Sequence, residues 1–480
     1  MSFVTSTLPA PIRLTMTQYS NAALRQSDVR AHLHPFTDAA THSEIGPLFV
    51  VRGDGVYVED IDGKRYIEGM SGLWCASLGF SHPRLVEAGC AALRTLPYYH
   101  TFNHRSNPAV AQLAEKLKAL APVPMARVLF ANSGSEANDT ATKLVWYYNN
   151  AIGRPKKKKI IARHRGYHGV TVAAASMSGL AGNHADFDLP LQRMLHVECP
   201  HHYRGAQPGE SDDAFASRLA NQLDARIEAE DPQTVAAFIA EPVQGAGGVL
   251  IPPATYFEKI QAVLKKHDVL LIADEVICGF GRTGEMWGSQ TFSLRPDILT
   301  CAKALSSGYV PISAVMINDL IYEAILSNSG RIGQFGHGYT YSGHPVAAAV
   351  ALATLQVYED DDIVGRVKEL APRFQRGVQS LGDLPCVGEA RSVGLIAGVE
   401  LVADRTTGEP FPLGVRAGQQ LAQLALDEGI VVRAMGDTVA LCPPLIISDA
   451  ELDELFRRLQ RAFDRFASSQ VSQNRRSDVL

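Results

Sequence analysis

The sequence predicts an α/β fold in which helices cover both faces of a parallel sheet and a smaller α+β lobe follows. Short β-branched runs alternate with helix-like segments from about residue 85 to residue 345, and this alternation is typical of parallel sheets. After residue 345 the pattern changes to strand-like runs followed by one amphipathic helix. The 480 residues are enough for about two to three domains.

The predicted elements follow one another along the chain. Residues 1–30 are polar, so we expect an arm, and residues 53–69 alternate apolar and polar side chains around Asp62-Gly63, which predicts a hairpin or meander. The central strands are predicted in the runs RVLFANS, KKIIARHRGY, TVAAFIAEPV, VLLIADEV, ILTCAK and PISAVMI. The C-terminal lobe contributes the strand-like VGEARSVGLIAGVELV and GIVVRAMGDTVALCPP and the helical DAELDELFRRLQRAFDRFA.

These signals divide the chain into three parts. We place an N-terminal arm, with strands that contribute to the small domain, at residues 1–80. The large domain is predicted at residues 81–345, and the small α+β domain at residues 346–480. Ligands of open parallel sheets bind beyond the carboxyl ends of the strands, so we expect the functional residues at that edge of the large domain.

The composition excludes several classes of protein. A net charge of −5 provides no basic surface for nucleic acid or anionic lipid. The longest apolar run, at residues 345–357, is too short to span a bilayer, and the N-terminus lacks a signal-peptide pattern. The seven cysteines are scattered without a C-x-x-C pair, which is typical of free thiols in a reducing compartment. We therefore expect a cytoplasmic protein without membrane or nucleic-acid partners.

The stretch GFGRTG, residues 279–284, matches the G-x-G-x-x-G fingerprint of dinucleotide-binding proteins. A dinucleotide site needs a helix directly after the glycines, but the next stretch contains Gly288 and Pro296 and has no helical period. Asp274 and Glu275 would also repel a pyrophosphate. We interpret the glycines as a turn after a strand. A nicotinamide-dependent oxidoreductase is the disfavoured alternative.

Three other features could act together. Asp274 ends an apolar strand, and Lys303 lies among apolar and small residues, as a desolvated amine suited to Schiff-base chemistry would. The segment Ser133, Gly134 and Ser135 precedes a helix, whose N-terminus favours phosphate. Each feature alone has an ordinary explanation: a turn, a surface lysine and a helix cap. Together they fit the requirements of pyridoxal phosphate, which needs a carboxylate, an amine and a phosphate pocket.

The segments that carry these residues resemble the class III aminotransferases, in the fold-type-I group of pyridoxal-phosphate enzymes. Six segments match in the family's order: LFANSGSEANDTATK, HRGYHG, AEPVQGAGG, LLIADEVICGFGRTGEMWGSQ, PDILTCAKALSSGYVPISAV and HGYTYSGHP. The likeness covers most of residues 30–460. It implies a fold-type-I PLP-dependent transferase, with a mostly parallel seven-stranded sheet flanked by helices in the large PLP-binding domain and a small α+β domain.

The resemblance also implies roles for the matched residues. Lys303 would hold the cofactor as a Schiff base and then shuttle a proton, while Asp274 would pair with the pyridinium nitrogen. Val276 and Tyr167 would pack on opposite faces of the ring. The other implied cofactor-binding residues are Ser133, Gly134, Ser135, His168, Glu241, Tyr339 and Thr340. Thr340 would reach the phosphate of the neighbouring subunit, which implies a homodimer with shared active sites and leaves a tetramer open.

Two positions distinguish this chain from the ornithine- and GABA-type members of the family. Those members carry a glutamate after the glycine of EPVQG and a glutamine three residues after the ring aspartate, where this chain has Ala246 and Ile277. The departure argues against a 2-oxoglutarate enzyme of that subgroup. The chain resembles the ω-amino acid:pyruvate transaminases instead. That resemblance implies a substrate pocket formed by Phe36, Trp74, Phe102, Tyr167, Ile277 and Arg433.

A mobile Arg433 would let one pocket bind a carboxylate in one half-reaction and an apolar amine substituent in the other. We therefore expect a ping-pong transfer of an amino group from a primary amine or ω-amino acid to pyruvate or glyoxylate. The alternatives on the same scaffold are a 2-oxoglutarate-dependent reaction, diaminopelargonate synthesis and an aminomutase. A metal hydrolase built on His164, His168, His201 and His202 is disfavoured because these residues show no familiar ligand spacing, and no metal is expected.

Overall fold

The computed structural model describes residues 20–477, and the first 19 residues of the predicted N-terminal arm lie outside the described residues. The chain divides into two compact units. One comprises Met1–Arg52 and Val58–Arg65, and the other comprises Gly53–Tyr57 and Tyr66–Leu480. The domain boundaries expected near residues 80 and 345 stay predictions.

The strands are numbered in chain order. They are β1 (Val50–Asp54), β2 (Tyr57–Asp60), β3 (Arg65–Glu68), β4 (Arg127–Ala131), β5 (Lys159–Arg163), β6 (Met194–Val197), β7 (Val235–Ala240), β8 (Leu270–Asp274), β9 (Ile298–Cys301), β10 (Ser313–Ile317), β11 (Val387–Val393), β12 (Ile396–Leu401), β13 (Ile430–Val431), β14 (Arg433–Met435) and β15 (Thr438–Leu441).

The helices are numbered in the same way. They are α1 (Asn21–Ala31), α2 (Ala39–Ile45), α3 (Ser71–Trp74), α4 (Pro83–Thr95), α5 (Pro108–Leu120), α6 (Gly134–Ala151), α7 (Val172–Met177), α8 (His202–Gly205), α9 (Asp212–Ala229), α10 (Tyr256–Lys266), α11 (Gly288–Thr291), α12 (Asp319–Ile332), α13 (Pro345–Asp360), α14 (Ile363–Gly382), α15 (Ala417–Asp427) and α16 (Asp449–Ser477).

The first unit contains α1 and α2, and polar side chains begin both helices. Ser20 accepts a hydrogen bond from the backbone N–H of Ala23, and Asp38 accepts one from Ala40. Within the same unit, the Arg25 guanidinium pairs with the Asp62 carboxylate at 2.5 Å. Asp62 belongs to the predicted Asp-Gly turn, so this pair connects α1 to that turn.

The central sheet has seven strands in the order β4-β10-β9-β8-β7-β5-β6. The pairs from β9 through β8, β7 and β5 to β6 are parallel, whereas β10 runs antiparallel to both β4 and β9. The predicted mostly parallel, seven-stranded sheet is therefore confirmed. Strand β6 was not among the predicted runs, because its four residues MLHV give only a short apolar signal.

Helices cover both faces of this sheet, as the burial of neighbouring residues shows. Successive strand residues point to opposite faces. Thus Leu271 packs in a cluster with Phe257 of α10, while Ile272 packs in a second cluster with Val145 of α6. All five residues of β8 are buried, which is typical of a central parallel strand.

The C-terminal part builds its own antiparallel sheet in the order β11-β12-β15-β14. Helices α14 and α16 bury Phe374 and Phe463 in the large apolar core beside it. Strand β13 instead runs parallel to β3 of the N-terminal part, with Ile430 opposite Ile67. Helix α13 is rich in buried small residues. None of the helices within residues 20–477 combines the length and apolar character that crossing a bilayer requires.

The GFGRTG stretch forms a turn and not the start of a long helix. Gly281 and Gly284 have φ angles of +91° and +95°, a region that favours glycine. A Cβ on Gly279 would lie 2.8 Å from the carbonyl oxygen of Glu275. The helix that follows, α11, has only four residues. The structure therefore confirms the interpretation of these glycines as a turn after a strand.

Candidate active site

A cleft opens where β8 and β9 end and α6 begins. Asp274, the last residue of β8, forms part of the cleft with Lys303, which follows β9. The described residues that line the cleft are Gly134, Ser135, Asn138, Tyr167, His168, Gly169, Glu241, Asp274, Val276, Ile277 and Lys303. Most of the residues that the sequence predicts for cofactor binding are therefore brought together at the carboxyl edge of the sheet.

The Asp274 carboxylate is buried and held by three neighbours, being only 3% exposed. Its Oδ2 accepts a hydrogen bond from Nδ2 of Asn138 at 2.8 Å and lies 2.8 Å from Nδ1 of His168. Its Oδ1 accepts a hydrogen bond from the backbone N–H of Val276. A buried carboxylate held in this way can stabilise a positive charge in the cleft.

Asn138 is a site residue that the sequence analysis missed. Its amide also donates to the carbonyl of His168 at 2.7 Å, and its Oδ1 accepts from the Thr300 hydroxyl at 2.9 Å. The amide is therefore fixed between α6, β9 and the segment after β5. The spacing could have indicated it, because residues four apart, such as Gly134 and Asn138, share one face of a helix.

Lys303 has the unusual environment that the sequence predicts. Its backbone adopts φ +48°, in the left-handed region that non-glycine residues rarely occupy and that often marks functional sites. Burial lowers the pKa of the Lys303 amine, and the nearby Cys75 and Asp274 act against this effect. A buried amine with a lowered pKa is more nucleophilic at neutral pH, because less of it is protonated.

Glu241 connects two loops beside the cleft. Its Oε1 accepts a hydrogen bond from the backbone N–H of Tyr167 at 2.9 Å, and its Oε2 accepts one from Gly245 at 3.0 Å. Burial raises the pKa of Glu241 above its usual value, while the charge of His168 opposes the rise. The side chain thus positions the loop that carries Tyr167.

The N-terminus of α6 forms one end of the cleft. The Ser133 hydroxyl caps the helix by accepting from the N–H of Glu136, and the Ser135 hydroxyl accepts from the N–H of Val170. Close packing against Ser135 leaves no room for a side chain at Gly169. A Cβ on Gly169 would lie 2.4 Å from Oγ of Ser135. The ordinary helix cap that was the alternative interpretation of Ser133 is therefore present, within an N-terminus that also faces the cleft.

Arg433 lies close to the predicted catalytic residues. Its charge acts on Tyr167, where it opposes the rise that burial causes in the pKa of the phenol. It also adds to the lowering of the Lys303 pKa. Burial lowers the pKa of Arg433 itself, which indicates an incompletely solvated guanidinium. The cleft therefore combines a buried amine, a carboxylate and a nearby cation.

Comparison with known proteins agrees with this geometry. A family model described as aminotransferase class-III matches residues 39–463, which is most of the chain. The chain belongs to the class III aminotransferases.

Relatives of this aminotransferase include proteins with different named substrates. The vanillin aminotransferase of Capsicum frutescens is 51% identical over 426 residues, which are 88% of this chain and 93% of that protein. The mitochondrial gamma-aminobutyrate transaminase 1 of Oryza sativa subsp. japonica is 48% identical over 451 residues, or 94% of this chain and 86% of that protein. The solved omega transaminase from Pseudomonas jessenii in complex with PMP has a TM-score of 0.92 at 53% identity, covering 93% of this chain and 98% of that chain.

Class III aminotransferases use pyridoxal 5'-phosphate, and the residues of this cleft fit that cofactor. Lys303 would provide the amine, Asp274 would provide the carboxylate for a ring nitrogen, and the N-terminus of α6 would provide backbone donors for a phosphate. A Cβ on Gly134 would approach Cγ1 of Val276 to 3.0 Å, so a side chain at Gly134 would crowd the wall of the cleft. The fold-type-I architecture and the cofactor expected from the sequence are therefore confirmed.

The predicted substrate residues of this aminotransferase occupy different environments. Trp74 is 2% exposed and packs in an apolar cluster with Met70 and Ile277. Ile277 is buried against Gly245, where an added Cβ would lie only 2.5 Å from Cδ1 of Ile277. Trp74 and Ile277 thus belong to one apolar wall, and their role in substrate binding stays a prediction.

Six predicted site residues of the second unit are not among those that line the cleft: Trp74, Phe102, Ser133, Tyr339, Thr340 and Arg433. Phe36 belongs to the first unit and is 69% exposed, and Phe102 is 42% exposed. The Tyr339 hydroxyl donates to the carbonyl of Glu136, and Thr340 is exposed on the same loop. The cofactor and substrate roles assigned to these residues stay predictions.

Arg282, in the GFGRTG turn, has a structural role that was not predicted from the sequence. Its guanidinium is only 3% exposed and donates to the carbonyls of Leu395 and Pro443 at 3.0 and 2.7 Å. It also contacts the Ser71 hydroxyl at 3.3 Å. The turn after β8 is thereby bound to the start of α3 and to the segments before β12 and after β15.

Proposed function

We propose that this aminotransferase transfers an amino group from a primary amine or ω-amino acid to pyruvate by a ping-pong mechanism, with glyoxylate as an alternative acceptor. The observation that carries the proposal is a cleft whose wall has the apolar Ile277, with the charge of Arg433 acting on the pKa of Tyr167 and of Lys303 in that cleft. A guanidinium can bind the carboxylate of a keto acid in two parallel hydrogen bonds. An apolar wall accepts the substituent of an amine that carries no carboxylate there.

Pyridoxal phosphate, when bound, supplies the carbonyl that takes up the amino group and a ring that accepts electron density from the reacting carbon. The chain supplies the acid–base and positioning groups. With the cofactor bound, Nζ of Lys303 would remove the proton from the amine-bearing carbon and return it to the cofactor carbon that takes up the nitrogen. The Asp274 carboxylate would hold a positive charge at the ring nitrogen, and Asn138 donates a hydrogen bond that fixes that carboxylate.

The named substrates of two relatives provide donors to test. One relative is a vanillin aminotransferase and another is a gamma-aminobutyrate transaminase. Gamma-aminobutyrate is an ω-amino acid, so both names are compatible with the proposed donor class. Ala246 and Ile277 favour pyruvate over 2-oxoglutarate, because this chain lacks the glutamate that would pair with a substrate arginine in the GABA-type subgroup.

The test is a screen of separate half-reactions with the purified holoenzyme. An amine with an aromatic substituent, gamma-aminobutyrate and β-alanine are each added without a keto acid, and the visible absorbance of the bound cofactor is followed. Loss of this band with an accompanying carbonyl product identifies a donor. Pyruvate, glyoxylate and 2-oxoglutarate are then tested for recovery of the band.

Recovery with pyruvate and not with 2-oxoglutarate would support the proposal. Recovery only with 2-oxoglutarate would instead support the alternative on the same scaffold. The Lys303→Ala variant should retain cofactor and lose at least about 10²-fold in turnover. An active Lys303→Ala variant, or no spectral change with any amine, would contradict the mechanism.

Arg433 provides a sharper test of substrate recognition. We expect Arg433→Ala to raise KM for pyruvate by about 10–100-fold, because a charge-assisted bidentate contact is lost. KM for an amine without a carboxylate should change little in the same variant. The amine therefore serves as the control for the effect on pyruvate. Equal changes for both substrates would show that Arg433 does not recognise the carboxylate.

We further propose a homodimer with shared active sites, whereas a tetramer remains an open alternative. Exposed aromatic residues lie beside Thr340: Tyr341 is 57% exposed, and the Tyr98 hydroxyl donates to the carbonyl of Thr340 at 3.0 Å. Clustered exposed apolar side chains favour burial in an interface. Light scattering after size-exclusion chromatography measures the mass of the assembly, and a monomeric active enzyme would contradict the proposal.

A cytoplasmic location is proposed on the chemistry of the cysteines. All seven are free thiols, as expected for a reducing compartment. Fractionation of the source cells, followed by activity measurement in each fraction, tests the location. Activity confined to another compartment would contradict it.

A further inference from the structure

In the first unit, one carboxylate is surrounded by three histidines. Oδ1 of Asp28 lies 2.6 Å from Nε2 of His34 and 3.4 Å from Nε2 of His42, and Oδ2 lies 3.4 Å from Nδ1 of His32. The imidazoles are close to one another: ring centroids are 4.3 Å apart for His32 and His34, and 4.1 Å apart for His34 and His42. Three imidazoles and one carboxylate therefore converge on a small space.

The local sequence explains this convergence. Asp28 lies on α1, and His32 follows it by four residues at the end of the helix, so the two side chains share one face. His34 comes two residues later in the connection, and His42 projects from the last turn of α2. The pattern is Asp-x3-His-x-His-x7-His. The sequence argument against a metal considered other histidines and did not include this segment.

One nitrogen in this cluster lacks a hydrogen bond. Nε2 of His42 is buried and accepts or donates no hydrogen bond among the described residues, although it lies 3.4 Å from the Asp28 carboxylate. The side chains of Asp28 and His42 are only 14% and 11% exposed. A buried polar atom without a partner is costly, so a ligand that binds it would stabilise this arrangement.

The described chain has two other groups of three potential metal ligands. Both differ from the Asp28 cluster because lysine or arginine side chains pair with their carboxylates. In one, Nζ of Lys266 donates to both oxygens of Asp224 at 2.8 and 2.9 Å. In the other, the guanidinium of Arg204 donates to Glu400 at 2.6 Å and Arg391 donates to the same carboxylate at 3.1 Å. Side-chain cations already neutralise these carboxylates.

The carboxylate of Asp28 is different, because its ion-pair partners within residues 20–470 are the three histidines alone. Neutral imidazole and carboxylate are good ligands for Zn²⁺. This cluster can therefore accept a cation without displacing a lysine or an arginine of the described chain.

The distances allow Asp28, His32 and His34 to share one ion, because their ligand atoms lie within 4.8 Å of one another. Bonds of about 2.0–2.1 Å in a tetrahedron place neighbouring ligand atoms about 3.3 Å apart. His42 lies 3.4 Å from Oδ1 of Asp28, close to this spacing, and His32 lies 3.4 Å from the other carboxylate oxygen, Oδ2. The third, the 2.6 Å contact to His34, is a hydrogen bond that would open by less than about 1 Å once the ion replaces its proton.

We propose that Asp28, His32, His34 and His42 form a binding site for a divalent transition-metal ion of the Zn²⁺ class, which joins α1 to α2. The site lies within the first unit and is independent of the transamination chemistry. Because metal ligands must be deprotonated, binding displaces the protons held by the cluster. The expected role is structural: Asp28, His32 and His34 already lie within 4.8 Å of one another, and a rotation of the nearby His42 side chain would supply a fourth ligand and close the coordination, as in structural zinc sites.

The experiment uses the holoenzyme prepared without a polyhistidine tag, treated with EDTA and then freed of it. Zn²⁺ is titrated by calorimetry, and we expect about one ion per chain with Kd below about 10 µM, since four ligands of the preferred kind converge. Co²⁺ is the second probe, because its visible absorption reports tetrahedral coordination. A 1,000-fold excess of Mg²⁺ should not compete, as that ion prefers oxygen ligands in an octahedron.

Two single variants, His34→Gln and His42→Gln, should each weaken Zn²⁺ binding by at least 10-fold and abolish the tetrahedral Co²⁺ spectrum. The matched control is His267→Gln, which removes a histidine from the competing group with Asp224. It should bind Zn²⁺ as the unaltered enzyme does. Two variants are used so that misfolding of one leaves the other informative, and circular dichroism checks both.

Absence of binding at 100 µM Zn²⁺ would overturn the proposal. Binding that persists in both variants, or that is lost in His267→Gln, would overturn it as well, since the ion would then lie elsewhere. These outcomes do not depend on the amine or keto acid that the enzyme uses. Failure of the metal site and failure of the proposed function are therefore distinguishable.

Discussion

Asn138 is the residue whose removal most directly tests how the carboxylate of Asp274 is held. The amide donates to Oδ2 of Asp274, and a hydrogen bond to a charged group contributes about 1.5–3 kcal/mol. We expect Asn138→Ala to lower kcat by about 10–100-fold, with a smaller change in KM for the amine. Steady-state kinetics and the half-reaction rate measure this effect.

The matched control for this variant is Asn149→Ala. Asn149 is also a buried asparagine of α6, but its amide donates only to the helix carbonyl of Val145 among the described contacts. Its loss should reduce stability and leave kcat within about 2-fold of the unaltered enzyme. An equal loss of kcat in both variants would show that Asn138 acts only through the stability of the helix.

His196 gives a prediction about pH at the same scale. Burial lowers the pKa of His196 from 6.5 to about 4, and the hydrogen bond to the carbonyl of Met177 opposes this effect. In the folded state His196 therefore binds a proton less readily than in the unfolded state. The contribution of neutral His196 to the free energy of unfolding is fully present above pH 6.5 and is lost as the pH falls from 6.5 to 4.

The cost at pH 5 is on the order of 1 kcal/mol after allowance for partial exposure. We expect the apparent Tm of the unaltered enzyme to fall more between pH 7.5 and pH 5 than that of His196→Gln, whose amide can still donate to Met177. Differential scanning fluorimetry at the two pH values measures the difference. An identical fall in both proteins would rule out His196 as a source of the acid sensitivity.

At the scale of elements, Arg282 connects the turn after β8 to three other segments. Replacing it by methionine leaves the carbonyls of Leu395 and Pro443 buried without their donor. An unsatisfied buried polar group costs about 1–3 kcal/mol. We expect Arg282→Met to lower the apparent Tm by at least about 3 °C.

Arg295→Met is the control, because Arg295 is exposed and not far from the same region of the chain. Its apparent Tm should stay within about 1 °C of the unaltered enzyme. Thermal unfolding of both variants with bound cofactor provides the comparison. A stable Arg282→Met variant would mean that the segments around α3 and β15 are held by other contacts.

Elements with strong local signals were predictable from the sequence, and elements with weak ones were not. Strand β8 was predicted because four apolar residues precede Asp274, and all five residues are buried. Strand β6 has only the four residues MLHV, and its structure depends on pairing with β5. The same contrast holds in the site. Asp274 and Lys303 stand out in their local sequence, but the network from Asn138 to Thr300 forms only when α6 and β9 meet.

The histidine cluster shows a second reason why sequence reasoning falls short. Its ligands are spread over α1, the connection and α2, so no short motif unites them. Their meeting depends on the angle between the two helices, which the pattern of residues does not determine. The spacing of Asp28 and His32 was visible, but an i,i+4 pair alone is common on helices.

At the scale of the whole molecule, the shared active site can be tested by mixing two inactive variants. Lys303→Ala removes the reacting amine, and Thr340→Glu places a negative charge where the resemblance predicts a phosphate contact from the neighbouring subunit. Each homodimer should be nearly inactive. In a mixed dimer with shared sites, one site carries both changes and the other carries neither.

Random exchange of equal amounts gives about half mixed dimers, each with one intact site of two, so activity should recover to about a quarter of the unaltered enzyme. Recovery is measured after mild denaturation and refolding with pyridoxal phosphate, and chromatography confirms that each variant forms the same assembly. If Thr340 served the site of its own chain, every site in a mixed dimer would carry one change. Activity would then stay at the level of the separate variants, and the shared site would be excluded.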